Sequence, residues 1–185
     1  VIAHGSSRLD AARKLAIELE STHFGGFSTN VDFLASILRH KEFILGNTTT
    51  DFIDRFNPSR FLKLQENEQK SVAITAALWL QGLNRSQAVV LENIPSGWSN
   101  ARLPKQRISF EMDAQLIEIY YMCNRDGSFT VDNQHEVVLH DWSESAVDIA
   151  IDGIRTLSSV SMDGDQLLVQ CLGGNKLLII QPRFK

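Results

Sequence analysis

Val72-Ala73-Ile74-Thr75-Ala76-Ala77-Leu78-Trp79-Leu80-Gln81-Gly82-Leu83 decides how the chain must fold. Its apolar residues do not form one stripe. Wound as a helix, Val72, Ile74, Ala76, Ala77, Leu78, Trp79 and Leu80 cover almost the whole circumference. A helix without a polar face has to be enclosed on most of its sides. The rest of the sequence must therefore supply an enclosure.

The sequence that follows can do so. Eight strand-like runs are predicted after Arg107: 107–112, 115–123, 128–132, 135–142, 146–152, 154–162, 166–171 and 176–183. Several alternate with a period of two, as in Ile117/Ile119/Tyr121, Val147/Ile149/Ile151 and Leu167/Val169/Cys171, so that one face of each strand is apolar. The breaks carry turn residues: Asn124-Arg125-Asp126-Gly127, Asp152-Gly153, Asp163-Gly164-Asp165 and Gly173-Gly174-Asn175. Connections this short force antiparallel neighbours. Eight such strands suffice to close a barrel and abolish its edges. The expected fold is α+β: a short helical N-terminal segment, then an eight-stranded antiparallel β-barrel wrapped around a central apolar helix.

Ahead of the apolar helix the chain has helical periodicity. Val1–Gly5 reads as a strand entered partway. Ser7-Arg8-Leu9-Asp10 resembles a capping box, with Asp in place of Glu. Leu9, Ala12, Leu15, Ala16 and Leu19 mark a helix over 8–21 that Gly25-Gly26 stops. A second helix is capped by Thr29 and carries Phe33, Leu34, Ile37 and Leu38, with His40-Lys41 near its C-terminal dipole. A third starts at Thr50 and is stopped by Pro58. The Pro- and polar-rich residues 57–70 read as a linker.

Composition excludes several classes of function. With a formal net charge of −4 and no basic cluster interleaved with aromatics, nucleic acid is not an expected partner. No apolar run approaches the ~20 residues that span a bilayer, so no membrane is expected. Cys123 and Cys171 each sit in an apolar run without a CxxC partner, and are read as small buried hydrophobes.

Catalytic patterns are equally sparse. His4, His23, His40, His135 and His140 form no metal-ligand spacing, and His140-Asp141 has no matching nucleophile elbow. The turn Gly25–Asn30 lacks the Lys of a phosphate loop; a helix stop followed by a helix cap accounts for it. No paired carboxylates suggest general acid–base work. The most informative loop is Pro95-Ser96-Gly97-Trp98-Ser99-Asn100, between the enclosed helix and the first strand. Trp98 is either a lid packed on the barrel or an anchor for a protein partner, with Arg102 and Arg107 nearby.

These residues resemble a known family. Val1-Ile2-Ala3-His4-Gly5, Arg8-Leu9-Asp10-Ala11-Ala12, Gly26-Phe27-Ser28-Thr29-Asn30-Val31-Asp32-Phe33-Leu34, and Phe43–Phe52 with Gly46 and Thr48-Thr49-Thr50 are similar to the C-terminal stretch of biotin carboxylase domains. The remainder resembles the BT module, the helix-in-barrel linking domain of biotin-dependent carboxylases of the propionyl-, methylcrotonyl- or long-chain acyl-CoA type. The resemblance implies residues 1–56 as the end of biotin carboxylase, 57–70 as linker and 71–185 as the interaction domain. It also implies that a hook loop over about 93–107, with Pro95, Gly97, Trp98, Asn100, Arg102 and Arg107, contacts a carboxyltransferase subunit or domain. Ser99 departs from the Arg found there in some of these chains.

By the same resemblance, the ATP-handling part of biotin carboxylase would precede Val1, and the biotin-bearing carrier domain would follow Lys185. Biotin, ATP and Mg²⁺ then belong to the parent enzyme, with no cofactor, metal or catalytic residue expected in this stretch. The parent is expected to be a large homo- or hetero-oligomer, cytoplasmic, or in the mitochondrial matrix of a eukaryote. The competing reading is a small β-barrel carrier for an apolar ligand. An undetected hydrolase is the third.

Overall fold

The computed structural model describes residues 1–25, 27, 29–90, 94, 96–101, 103–172 and 174–183. Contacts divide the chain into two units. One comprises 1–64 together with 170–175, the other 65–169 together with 176–185.

The first unit holds four helices: α1 (Arg8–Ser21), α2 (Val31–Arg39), α3 (Lys41–Leu45) and α4 (Phe52–Phe56). The apolar periodicity of α1 turns Ala12, Ala16 and Leu19 onto Val31 and Leu38 of α2, with Leu15, Phe24 and Phe43 packed against them. At the start of α1 the Ser7 hydroxyl accepts from Asp10 N–H at 3.2 Å, while the Asp10 carboxylate accepts from Ser6 N–H at 3.0 Å. This is the reciprocal bonding of a capping box, reaching one residue further back than usual. Arg39 grips the Glu20 carboxylate at 2.7 and 2.5 Å. That bond raises the pKa of the guanidinium.

Local expectations need correction at several points. Val1–Gly5 forms no strand, and Val1 and Ile2 are exposed; a strand requires a hydrogen-bonded neighbour that the described residues do not offer it. α1 spans Arg8–Ser21 as its periodicity predicts, but the stop falls at Thr22, whose hydroxyl donates to Glu18 O at 2.7 Å, and not at Gly25. Gly26 and Ser28 lie outside the described residues. The cap of α2 is Asn30, not Thr29. His40 ends α2 as its C-cap residue. It caps α3, its Nδ1 accepting from Glu42 N–H at 3.2 Å, with its ring against Phe52 and Phe56. α4 begins at Phe52, two residues beyond Thr50.

The second unit begins with α5 (Glu66–Ser86). It starts six residues before the apolar stretch, since the Glu68 carboxylate accepts from Gln65 N–H at 2.7 Å and secures the first turn. Gln65-Glu66-Asn67-Glu68 is thus a helix start, although its polarity reads as linker. Every residue from Val72 to Leu80 is buried. The one hydroxyl among them, on Thr75, donates to Ser71 O at 2.9 Å. α5 touches four strands of the barrel.

Those strands are β1 (Gln106–Met112), β2 (Gln115–Cys123), β3 (Phe129–Val131), β4 (His135–Trp142), β5 (Ala146–Ile151), β6 (Ile154–Asp163), β7 (Gln166–Cys171) and β8 (Gly174–Gln181). They form a closed antiparallel barrel in sequence order, with Phe110 of β1 opposite Ile180 of β8. The helix packs on β2, β4, β5 and β6. Buried residues alternate along the strands: Phe110/Met112, Ile119/Tyr121, Phe129/Val131, Val147/Ile149 and Leu167/Val169. Lys176, 7% exposed, sends Nζ to the Asp113 carboxylate at 2.9 Å. A buried ammonium would be costly without such a partner.

Turn chemistry explains the tight connections. Asp152-Gly153 between β5 and β6 has φ of 51° and 84°, both left-handed as a type I′ turn requires. The β1–β2 link, Asp113-Ala114, takes the same conformation (50° and 62°) without a glycine. A bulge at His140 shifts the β4–β5 register between Leu139 and Asp141. Among the described residues no helix is long and apolar enough to cross a membrane, and no His, Cys, Asp and Glu cluster could hold a metal ion.

Candidate functional site

The segment joining α5 to β1 concentrates exposed apolar side chains. Val89 is 87% exposed, Val90 76%, Trp98 59% and Leu103 55%. Four large apolar groups facing water within fifteen residues are unusual for a surface loop. Trp98 thus faces water over more than half of its surface.

Within this segment, residues 96–101 are held by their own chemistry. Gly97 adopts φ +74°, and a Cβ there would come within 2.9 Å of Cys123 Cβ and 3.3 Å of Cys123 O. Only glycine fits both the left-handed backbone and the close approach. The Ser96 hydroxyl accepts from Gln81 Nε2 at 3.0 Å, which fastens the loop to α5. The Ser99 hydroxyl accepts from Ala101 N–H at 3.1 Å. Lys105 Nζ donates to Asn133 Oδ1 in the β3–β4 turn.

Of the sequence-predicted docking residues, Gly97, Trp98 and Asn100 share this loop, with Asn100 exposed. Arg107 lies instead on β1, its guanidinium 3.5 Å from Glu118 on β2. Pro95 and Arg102 lie outside the described residues. Sequence reasoning missed Gln81, Ser96 and Cys123 as loop supports. A glycine next to an exposed aromatic was the one available signal, and nothing in the sequence named its neighbour.

The electrostatics here are quiet. Burial, and then the charge of Asp126, pushes the Cys123 thiol up, so it stays protonated near neutrality. Burial also raises the Tyr121 phenol, which donates to Gln106 Oε1 at 2.8 Å. His135 and Asp152 are 2.7 Å apart, and Asp152 also accepts from Glu136 N–H at 3.0 Å. That geometry fastens a hairpin.

Comparison with known proteins adds the class. Residues 1–55 match the family model of the biotin carboxylase C-terminal domain. Along its full length the chain is 26% identical to the mitochondrial methylcrotonoyl-CoA carboxylase subunit alpha of Rattus norvegicus, of which it covers 28%. It is 31% identical over 46% of its length to the corresponding Glycine max subunit, covering 11% of that protein. It is 39% identical over 33% of its length to mitochondrial pyruvate carboxylase of Homo sapiens, covering 5%. The chain thus spans well under a third of the length of these relatives. The similarities support the biotin-dependent carboxylase family, whose members are ligases, and do not separate the acyl-CoA type from the pyruvate type.

Proposed function

We propose that this chain docks the biotin carboxylase component of a biotin-dependent acyl-CoA carboxylase onto its carboxyltransferase component, through the loop bearing Gly97, Trp98 and Asn100. The observation that carries the reading is a Trp side chain 59% exposed on a loop that is itself fastened at Gly97 and Ser96. Exposed aromatics on ordered backbone are efficient anchors, because little entropy remains to be lost on binding. Similarity over the full chain to the methylcrotonoyl-CoA carboxylase subunit alpha of Rattus norvegicus favours the acyl-CoA type. The mitochondrial location of these relatives favours the matrix in a eukaryotic host.

In such an enzyme ATP and bicarbonate carboxylate biotin, and the carboxyl group then passes to an acyl-CoA. The present residues would hold the two centres at a fixed separation. That raises the effective concentration of the carried group at each centre without a new chemical contact. The barrel is the rigid mount, with α5 as its apolar filling. Nine consecutive buried helix residues support a filled barrel over a ligand carrier.

The test is direct binding of this chain to carboxyltransferase components of acyl-CoA and pyruvate types. Association with an acyl-CoA type, lost on deletion of 95–102, is the expected outcome. Retained binding after that deletion would remove the loop from the reading.

A further inference from the structure

The loop carrying Trp98 is short of regular structure, yet two of its residues meet well-ordered elements. Gly97 rests on Cys123 at the end of β2, with no room for a Cβ between them. Ser96, its neighbour, accepts from Gln81 Nε2 on α5 at 3.0 Å. The two contacts approach from different elements and hold the two residues that precede the exposed indole. Cys123 itself is fixed by the β2–β3 ladder opposite Phe129, and its Sγ–H lies 3.6 Å from Asn124 O. Gln81 is half-buried on a helix whose preceding nine residues are fully enclosed. Both supports are thus anchored more firmly than the loop they touch.

We infer that Cys123 and Gln81 are positioning residues: together they form a seat that fixes the backbone at Ser96-Gly97 and so presents Trp98 in one orientation before any partner arrives. The value of that orientation rests on the docking reading given above; the seat can be tested without it. A preformed anchor avoids the ordering cost of binding, so loss of the seat weakens association chiefly through faster dissociation.

The interlock has two halves, and a swap separates them. Gly97→Ala adds a methyl group against Cys123 Cβ at 2.9 Å. In Gly97→Ala/Cys123→Gly the new methyl occupies the space the cysteine leaves. Amide hydrogen exchange over 96–101 in the free chain reads the seat directly. Exchange is expected to quicken in Gly97→Ala and in Gln81→Ala, and to slow again toward wild type in the double variant. Thermal unfolding, followed in parallel, keeps a global loss of fold from passing as a local one; where Gly97→Ala fails to fold, Gln81→Ala alone carries the test. Binding to a carboxyltransferase component should weaken about tenfold in Gly97→Ala, with most of the change in the dissociation rate.

Unchanged exchange in Gly97→Ala and Gln81→Ala overturns the seat. So does a double variant that exchanges and binds no better than Gly97→Ala, since the backbone angle would then be the whole effect. If exchange behaves as expected while Trp98→Ala binds like wild type, the seat stands and the docking reading falls.

Discussion

Trp142 on β4 donates its indole N–H to the backbone oxygen of Trp79 on α5 at 3.0 Å, while Trp79 donates its own to Ser143 O at 3.0 Å. The two rings lie 6.5 Å apart and tilted by 37°. A helix and a hairpin are thereby linked in both directions, and each buried indole N–H finds its acceptor.

Gly82 makes that link possible. A Cβ at this position would sit 2.3 Å from Trp142 Nε1. In an exposed helix Gly→Ala would gain about 1 kcal/mol, but here overpacking costs about 1–3 kcal/mol beyond that gain. Gly82→Ala should lower the denaturation midpoint, and Trp142→Phe in the same chain should recover less than all of it. A stabilised Gly82→Ala would show that the indole gives way.

Trp98→Ala should leave the fold untouched. Replacing a side chain that faces water changes stability by about 0.5 kcal/mol or less, whereas loss of a central anchor costs about 2 kcal/mol or more of association, roughly thirtyfold. Denaturant unfolding and titration calorimetry on the same variant separate the two quantities.

Docking should depend weakly on salt. Among the described residues near the loop, Lys105 donates to Asn133, Arg107 faces Glu118 and the Ser99 hydroxyl is engaged by Ala101. The exposed groups there include the apolar Val89, Val90, Trp98 and Leu103 alongside the uncharged Ser99 and Asn100. Between about 0.05 and 0.5 M salt the dissociation constant should change by less than about threefold. A steep dependence would point to Arg102 as the dominant contact.

Acid should loosen the attachment of the β5–β6 turn to the start of β4. The Asp152 carboxyl is held below its ordinary 3.8, first by the hydrogen bond from His135 and then by Glu136 N–H. Because the folded value is depressed, the stabilisation is complete above about pH 4 and disappears as the pH falls through the folded value. Asp152→Asn should therefore be less stable than wild type at neutral pH, with the gap closing below 3.8. A gap independent of pH in chemical denaturation would assign the loss to the hydrogen bonds themselves rather than to the charge of the carboxylate.

Ala114 is the strained member of the β1–β2 turn, at φ 62°. An L-residue with a Cβ pays about 1 kcal/mol to sit there. Ala114→Gly should raise the unfolding free energy by a fraction of that, offset by the freer unfolded chain.

The barrel was legible because period-two alternation and Asp-Gly turns act between neighbours in sequence; Ile119 and Tyr121 or Val147 and Ile149 declare their face without reference to the rest. α5 was legible in its apolar middle and not at its start, since Gln65 and Glu68 look like any polar linker until their bond is seen. His40 escaped for a similar reason: its role depends on a backbone N–H two residues on and on rings from α4. The loop yielded its exposed Trp98, but Cys123, twenty-five residues further along, is joined to Gly97 only by the folded strand order. Long-range pairs of this kind leave no local periodicity to read.

One consequence of the chain order concerns synthesis. The ribosome delivers Val72–Leu80 before any of the strands that bury it, and β6 ends only at Asp163. At about 5–20 residues per second the nascent helix waits roughly 4–17 seconds for its shell. For that interval its apolar circumference is without the strands that bury it in the folded chain, so slower translation across residues 106–163 lengthens its exposure.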